Sequence, residues 1–444
     1  MPLRAERCGT RMGAEAISDA AFDRTIGALI VGGAHGSLGL ARGLGRRGIR
    51  VCFVSNDHRI AKYSRYVDRD FDWPGPNDES ALAFLLGLAS RHRLDGWALI
   101  AGGDAELQLI SQHHAELSSV YRVTVPPWEI ACWAHDKRLT YQRAAALGID
   151  YPKSYHPRDL QDVAQLDCRF PVVLKPAVRV ERNAFTRAKA WRCDDRASLL
   201  ARYEQAAALV DSEGIVLQEL IPGGGSAQFS YAGVWNRGSP VASLVARRTR
   251  QYPVEFGYTS TFVETVEQSE VEDAACRFLR SLDYGGLVEV EFKYDRRDGR
   301  YKLLDVNARA WTWCALGPIA GVDFAHVLWR ITKGEAVEPS RGHANVAWMH
   351  GMRDVVAAGQ EMLAGKLSPL SYMRGWRKPL VFAAFAKDDP LPGVVDLPIL
   401  VWRLLARGAE IARGFFKIHS SPLARRCRTR RPRLDAFTGA RRKG

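Results

Sequence analysis

A chain of 444 residues, 47% hydrophobic and 10% aromatic, can bury a full core and is long enough for two to four domains. No run approaches the roughly eighteen uninterrupted apolar residues of a membrane span, and MPLRAERCGTRMGAEAISDAAFDRT, residues 1–25, lacks the apolar core of a signal peptide, so a cytoplasmic protein with a flexible N-terminal arm is expected. Of the net charge of +14, +11 lies in residues 401–444, where thirteen Lys or Arg face only Glu410 and Asp435; the rest of the chain is nearly neutral, and no nucleic-acid partner is expected.

The eight cysteines, at 8, 52, 132, 168, 193, 276, 314 and 427, form no CxxC pair. That pattern speaks against a disulfide framework and against a zinc site.

Residues 26–130 repeat strand, glycine turn and helix, the pattern of an α/β domain of Rossmann-like type. IGALIVGG predicts a buried strand, SLGLARGLGRRG a short helix, IRVCFVS a second strand and WALIAGGD a third. The loop GGAHGSLG, residues 32–39, invites a dinucleotide reading, because glycines after a first strand let backbone approach a phosphate at a helix start. Its spacing is not GxGxxG, however, and Asp57 is a poor match for a ribose-binding acid. A structural or substrate-facing turn is the competing reading.

After Pro126-Pro127 the pattern changes. HDKRLTYQRAAALGI, 135–149, predicts a helix with Asp136 near its start and Gly148 at its end, followed by strand YPKSY, helix RDLQDVAQL and strand FPVVLKP, which ends in Lys175. A lysine closing an apolar strand calls for an anionic partner or an exposed position. AVRVERNAFTRAKAW, with Arg179, Arg182, Arg187 and Lys189, reads as a loop that folds over phosphates or as a solvated hairpin. IVLQELIPGGG, 215–225, is a strand stopped by proline and three glycines; such a hinge leaves backbone NH and CO groups for a flat heterocycle, or is a plain loop.

GGLVEVEF and RYKLLDVN, joined through Asp298-Gly299, predict an antiparallel pair. Period-2 alternation then sets Asp305 and Asn307 on one face, with Glu291 opposite. Three oxygen donors among apolar strand residues suit a hard cation; magnesium binds through one or two carboxylates plus substrate phosphates.

The order Asp136-Lys137, FPVVLKP, VLQELIPGG, VEF and LLDVNAR resembles the ATP-grasp superfamily, in particular its carboxylate-amine ligases, over residues 26–336. The resemblance implies an ATP-grasp domain of two α+β subdomains over 131–336. It further implies that Lys137 and Lys175 contact ATP phosphates, that Gln218, Glu219, Leu220 and Ile221 line the adenine, that Glu291, Asp305 and Asn307 hold Mg2+ or Mn2+, and that Arg309 sits beside the transferred phosphate, with Lys175 as its catalytic companion. The implied reaction activates a carboxylate as an acyl phosphate and joins it to an amine with release of ADP and phosphate. Asp305 stands where Glu is usual, Ala308 replaces a frequent Pro, and the loop 179–190 lacks the usual glycines.

Arg247, Arg248 and Arg250 in VARRTRQYPVEFGYTSTF offer a guanidinium fork for a substrate carboxylate, Arg248 and Arg250 being the candidates, or are ordinary surface arginines. Residues 337–418 are expected to form a mainly helical C-terminal extension, ending in the amphipathic DLPILVWRLLARGAEIARGFFKI, 396–418. That helix packs on its own domain, on a second subunit in a homodimer, or on a membrane surface. Residues 419–444 read as a disordered basic tail, idle or in weak contact with anionic lipid. Three functions compete: an ADP-forming ligase acting on small-molecule carboxylate and amine, a nucleotide-binding scaffold without catalysis, and an NAD-dependent enzyme using the glycine loop.

Overall fold

The computed structural model describes residues 26–177, 183–187, 190–254, 257 and 259–399. The N-terminal arm, half of the expected phosphate-covering loop 179–190, the greater part of the 396–418 segment and the basic tail therefore lie outside the described residues. Two compact units divide the chain at residues 393 and 394. The described part of the second, residues 394–399, is helical.

The first unit begins with a parallel sheet built from Ala28–Val31 (β1), Val51–Val54 (β2), Arg69–Phe71 (β3), Ala98–Ala101 (β4) and Arg122–Val123 (β5), in the order β3-β2-β1-β4-β5. Strands β1, β2 and β4 are buried along their whole length, as continuous apolar runs in a covered parallel sheet must be. In such an order the topology reverses between β1 and β4, so the crevice at their C-terminal ends is where a ligand would approach.

There the glycine loop has its explanation. Gly32 and Gly33 have φ of 72° and 81°, a region that favours glycine, and a side chain on Gly32 would run into the carboxyl of Glu106. On helix His35–Gly45, a Cβ on Gly36 would lie 2.6 Å from the Trp311 carbonyl and one on Gly43 would lie 3.0 Å from Asp323 Oδ1. The helix glycines Gly36 and Gly43 thus serve close packing against residues 311–323.

A smaller antiparallel sheet follows, with Ser154–Tyr155 (β6), Val172–Pro176 (β7), Trp191–Cys193 (β8) and Ile215–Glu219 (β9) in the order β6-β9-β7-β8. Its core, including Val172, Leu174, Phe185, Leu199 and Leu217, is its own. The third sheet carries Gln228–Asn236 (β10), Ser239–Tyr252 (β11), Thr259–Val266 (β12), Gly286–Asp295 (β13) and Arg300–Asn307 (β14). Leu29 and Leu99 of the parallel sheet share one core cluster with Val288, Val290 and Leu303 of this sheet, and that shared core ties the two lobes together.

The extension from 337, expected to be mainly helical, also adds strands to the third sheet. Ser340–Arg341 (β15), Ala347–Met349 (β16) and Leu380–Phe382 (β17) extend the third sheet, giving the order β14-β13-β10-β11-β12-β16-β17 with β15 beside β11. AWM and LVF are short apolar runs that an edge strand can pair and bury. Helices Gly351–Leu363 and Pro369–Gly375 lie between β16 and β17. No helix among the described residues is long and apolar enough to cross a membrane.

Candidate active site

Strands β13 and β14 pair antiparallel, with Glu291 opposite Asp305 and Glu289 opposite Asn307. Because side chains alternate, all four polar groups stand on one face, and they line one cavity of about 100 Å3. Just beyond Glu291 the register slips, Phe292 pairing with Leu303. The carbonyl of Leu304, left out of the ladder, is taken by the Tyr141 hydroxyl at 3.0 Å. That bulge ends the acidic face at Asp305.

Cations meet these acids from three directions. Lys137, first residue of helix Lys137–Ala146, points its ammonium at both oxygens of Asp305, 2.9 and 3.0 Å away. Asp136 caps that helix by accepting from the Arg138 amide, so the side chain that starts the helix also fixes where Lys137 emerges. Arg248 on β11 reaches Glu291 Oε1 at 3.3 Å and Gln228 Oε1 at 3.2 Å, while Gln228 donates to Glu291 Oε2 at 2.6 Å. The Arg248 Nε has no hydrogen-bond partner among the described residues. Arg309, just past β14, donates from Nε and Nη2 to Asp104 at 2.7 and 3.2 Å and from Nη2 to Asn307 Oδ1 at 3.1 Å. Asp104 opens helix Asp104–Gln112 behind β4, so the parallel sheet supplies one wall.

Among the lining residues that the sequence did not single out are Glu289, Asp104, His135 and Trp313. Glu289 could have been found, since VEVEF places it two residues before Glu291 and therefore on the same face. Only 4% exposed, it accepts from Trp313 Nε1 at 3.0 Å and from Asn307 Nδ2 at 3.1 Å. Burial, and then the Glu291 charge, push its carboxyl up to about 7. Burial works against the Arg309 charge too, but Asp104 overrides it and the guanidinium pKa rises. His135 is lowered by burial, and its Nε2 has no partner among the described residues. Asp104 and His135 carry no local pattern that marks them.

The oxygen donors Glu291, Asp305 and Asn307 fit a hard divalent ion. The Lys137 ammonium already lies where such an ion would meet Asp305.

The remaining candidates lie apart from this cavity. Lys175 at the end of β7 donates to Gln218 Oε1 on β9 at 2.6 Å, and Gln218, 1% exposed, donates onward to the hydroxyls of Tyr141 and Ser154. The lysine thus has its partner in the neighbouring strand. The hinge differs from expectation: the Glu219 and Leu220 amides are not left for a ligand, because they donate to the carbonyls of Lys153 and Pro171 at 3.0 and 3.1 Å. Glu219 and Ile221 border a second, wider cleft of about 500 Å3 with Lys153, Arg297, Arg300 and Lys302. Arg250 departs from the substrate reading as well. It makes a buried bidentate pair with Asp354, 2.8 Å on each side, and lies over the rings of Phe262 and Tyr372.

The chain is similar to several known proteins. Residues 244–339 match the family model described as carbamoyl-phosphate synthase L chain, ATP binding domain. A D-aspartate ligase from Enterococcus faecium is 26% identical over 299 residues, 63% of this chain and 70% of the relative. Among solved structures, an L-amino acid ligase from Bacillus licheniformis aligns with a TM-score of 0.54 at 17% identity, covering 70% of this chain and 75% of that one. The biotin carboxylase domain of the 2-oxoglutarate carboxylase of Hydrogenobacter thermophilus, in complex with MgADP, aligns with a TM-score of 0.57 at 16% identity over 73% and 74% of the two chains.

Proposed function

We propose that this chain, an ATP-grasp enzyme of the carboxylate-amine ligase type, uses the cavity between β13, β14 and helix Asp104–Gln112 to activate a carboxylate and pass it to an amine. The observation that carries the reading is the pairing of Glu291 with Asp305 and Glu289 with Asn307 beside two cationic donors, Lys137 and Arg309. A scaffold has no need of a complete oxygen set in a cavity.

A carboxylate is a poor electrophile. In the proposed reaction its oxygen attacks the γ-phosphoryl of ATP, the bond to the β-phosphate oxygen breaks, and ADP leaves. The amine then attacks the acyl carbon, phosphate departs and a proton is lost, which leaves an amide. Phosphoryl transfer asks a protein chiefly for position and charge neutralisation.

Glu291, Asp305 and Asn307 would hold magnesium, with Glu289 beside them. The ion would supply charge neutralisation at the phosphates. Lys137 would move from Asp305 onto the phosphates once a stronger cation meets that carboxylate, with Lys175 and the stretch Gln218 to Ile221 on the nucleotide's side. Arg309, held by Asp104, would stabilise charge on the transferred phosphoryl group. Arg248 would receive the substrate carboxylate through its Nε edge. An amino acid is the first substrate class to test, since a relative is a D-aspartate ligase.

The dinucleotide reading fits less well. Glu106 sets its carboxyl against Gly32, where a Cβ would already collide with it, so the space a pyrophosphate would need beside that glycine is taken.

The test is ADP release from purified protein with a panel of carboxylates and amines. Asp305→Asn and Asn307→Ala should each lower turnover by roughly 100-fold or more and keep the melting temperature. Undiminished turnover in both variants would remove these residues from the site. Stabilisation by NAD with none by Mg-ATP would overturn the reading as a whole.

A further inference from the structure

Large apolar side chains standing in solvent are not scattered over this protein. Among the described residues of the first unit, Leu160, Leu209 and Tyr252 are exposed elsewhere, whereas nine such side chains fall between residues 352 and 391. Two helices carry most of them.

Helix Gly351–Leu363 is inverted relative to an ordinary surface helix. Asp354, Ala357 and Ala358, at i, i+3 and i+4, face inward, while Met352, Val355, Val356 and Leu363 face solvent, Leu363 being 92% exposed. Helix Pro369–Gly375 buries no residue and exposes Leu370 and Met373, one turn apart. The two helices are anchored at one spot, because Arg250 pairs with Asp354 of the first and lies 5.0 Å over the ring of Tyr372 in the second. Burying an ion pair and alanines while exposing Leu, Val and Met makes sense only if the outer face has its own use.

Charge decides the occupant. From 363 to 378 the chain has Lys366, Arg374, Arg377 and Lys378 and no acid. Lys378 is paired with Glu264, and the other three are exposed. A second copy packing here about a two-fold axis would set this basic rim against itself, and like charges across an interface oppose association. An anionic lipid surface accepts both parts, with apolar side chains at the acyl boundary and Lys and Arg at the headgroups. The chain from 401 to 444 adds a net +11 of the same sign.

We infer that helices Gly351–Leu363 and Pro369–Gly375 form a docking face for an anionic membrane surface. Each basic residue near such a surface adds about 1 kcal/mol within a Debye length, and the apolar side chains supply the part that salt does not screen. The ligase reaction does not enter this argument.

The experiment is co-sedimentation of the full chain with vesicles of phosphatidylcholine alone and of phosphatidylcholine with phosphatidylglycerol, at low and high salt. Binding is expected to the anionic vesicles, weakening as salt rises. The triple variant Leu363→Asp, Leu370→Asp, Met373→Asp, with the tail intact, should bind them roughly tenfold or more weakly at an unchanged melting temperature. Should that variant fail to fold, Leu363→Asp alone decides the question, since its side chain is almost fully in solvent. Three results overturn the inference: no binding of the unaltered chain to anionic vesicles, full binding by the variants, which would assign it to the tail, or a dimer in analytical ultracentrifugation that Leu363→Asp dissociates.

Discussion

Arg248 and Arg250 lie two residues apart on β11 and are almost equally buried, at 7% and 3% exposure, yet their surroundings differ in kind. Arg250 is saturated: both of its forward nitrogens meet Asp354 at 2.8 Å, and aromatic rings cover its planar faces. Arg248 makes two longer contacts, at 3.2 and 3.3 Å, and has an Nε with no partner among the described residues, at the edge of a cavity. A bulge between them, where the pairing jumps from Arg248–Val263 to Arg250–Phe262, shifts one off the line of the other. Burial alone therefore does not distinguish a structural arginine from a binding one. The degree to which its donors are used does.

The largest effect is expected at the saturated pair. Arg250→Ala strands the Asp354 carboxylate in the core, and breaking a buried ion pair from one side costs about 3–5 kcal/mol. Chemical denaturation should show that loss, and the same substitution at Asp354 should match it. A loss below 1 kcal/mol would mean, on the same scale, that the pair is no anchor and that the contrast with Arg248 fails.

Arg248→Lys comes next. It keeps a positive charge beside Glu291, so the fold should hold, while loss of the guanidinium fork should raise KM for the carboxylate roughly 10- to 100-fold. Steady-state kinetics read this. A variant that unfolds with KM unchanged would make Arg248 another Arg250.

Glu106 sharpens the comparison from the acid side, since it is buried with no cation paired to it among the described residues. Burial first, then Asp104, push its carboxyl up to about 7, from an ordinary 4.5. The folded state therefore holds this proton more tightly than the unfolded chain does. Its contribution to stability is full below pH 4.5 and is lost as pH rises to about 7. Glu106→Gln removes that dependence, so the variant should gain about 1–3 kcal/mol on the unaltered protein at pH 8 and nothing at pH 4. Melting curves across that range check the sign; a variant less stable at pH 8 would refute it.

The smallest effect belongs to Arg46. Its bidentate contact with Asp388, at 2.7 and 2.8 Å, has the same form as that of Arg250, but both side chains are about 40% exposed. Water screens such a pair, and Arg46→Ala should cost under about 1 kcal/mol by denaturation. Equal losses at Arg46 and Arg250 would show that geometry, and not burial, sets the value.

Local pattern was enough to find the longer strands, the hairpin at Asp298-Gly299 and the oxygen donors Glu291, Asp305 and Asn307, because period-2 alternation is written into consecutive residues and survives whatever packs around it. The start of the helix that carries Lys137 was equally legible, since Asp136 announces it as a cap, whereas a role for Lys137 came only with the family resemblance. The sequence alone also suggested the parallel sheet but left its glycines between a phosphate-facing and a structural turn, because a close helix contact and a phosphate cradle ask for the same residue. What only the tertiary structure decided was partnership. That Asp104 holds Arg309, that Trp313 reaches Glu289 and that Asp354 saturates Arg250 all join residues from 24 to 205 positions apart, and nothing in a local window encodes such distances. The short strands Ala347–Met349 and Leu380–Phe382 exist for the same reason: three apolar residues are too few to announce a strand, and become one only when the edge of a sheet is there to take their hydrogen bonds.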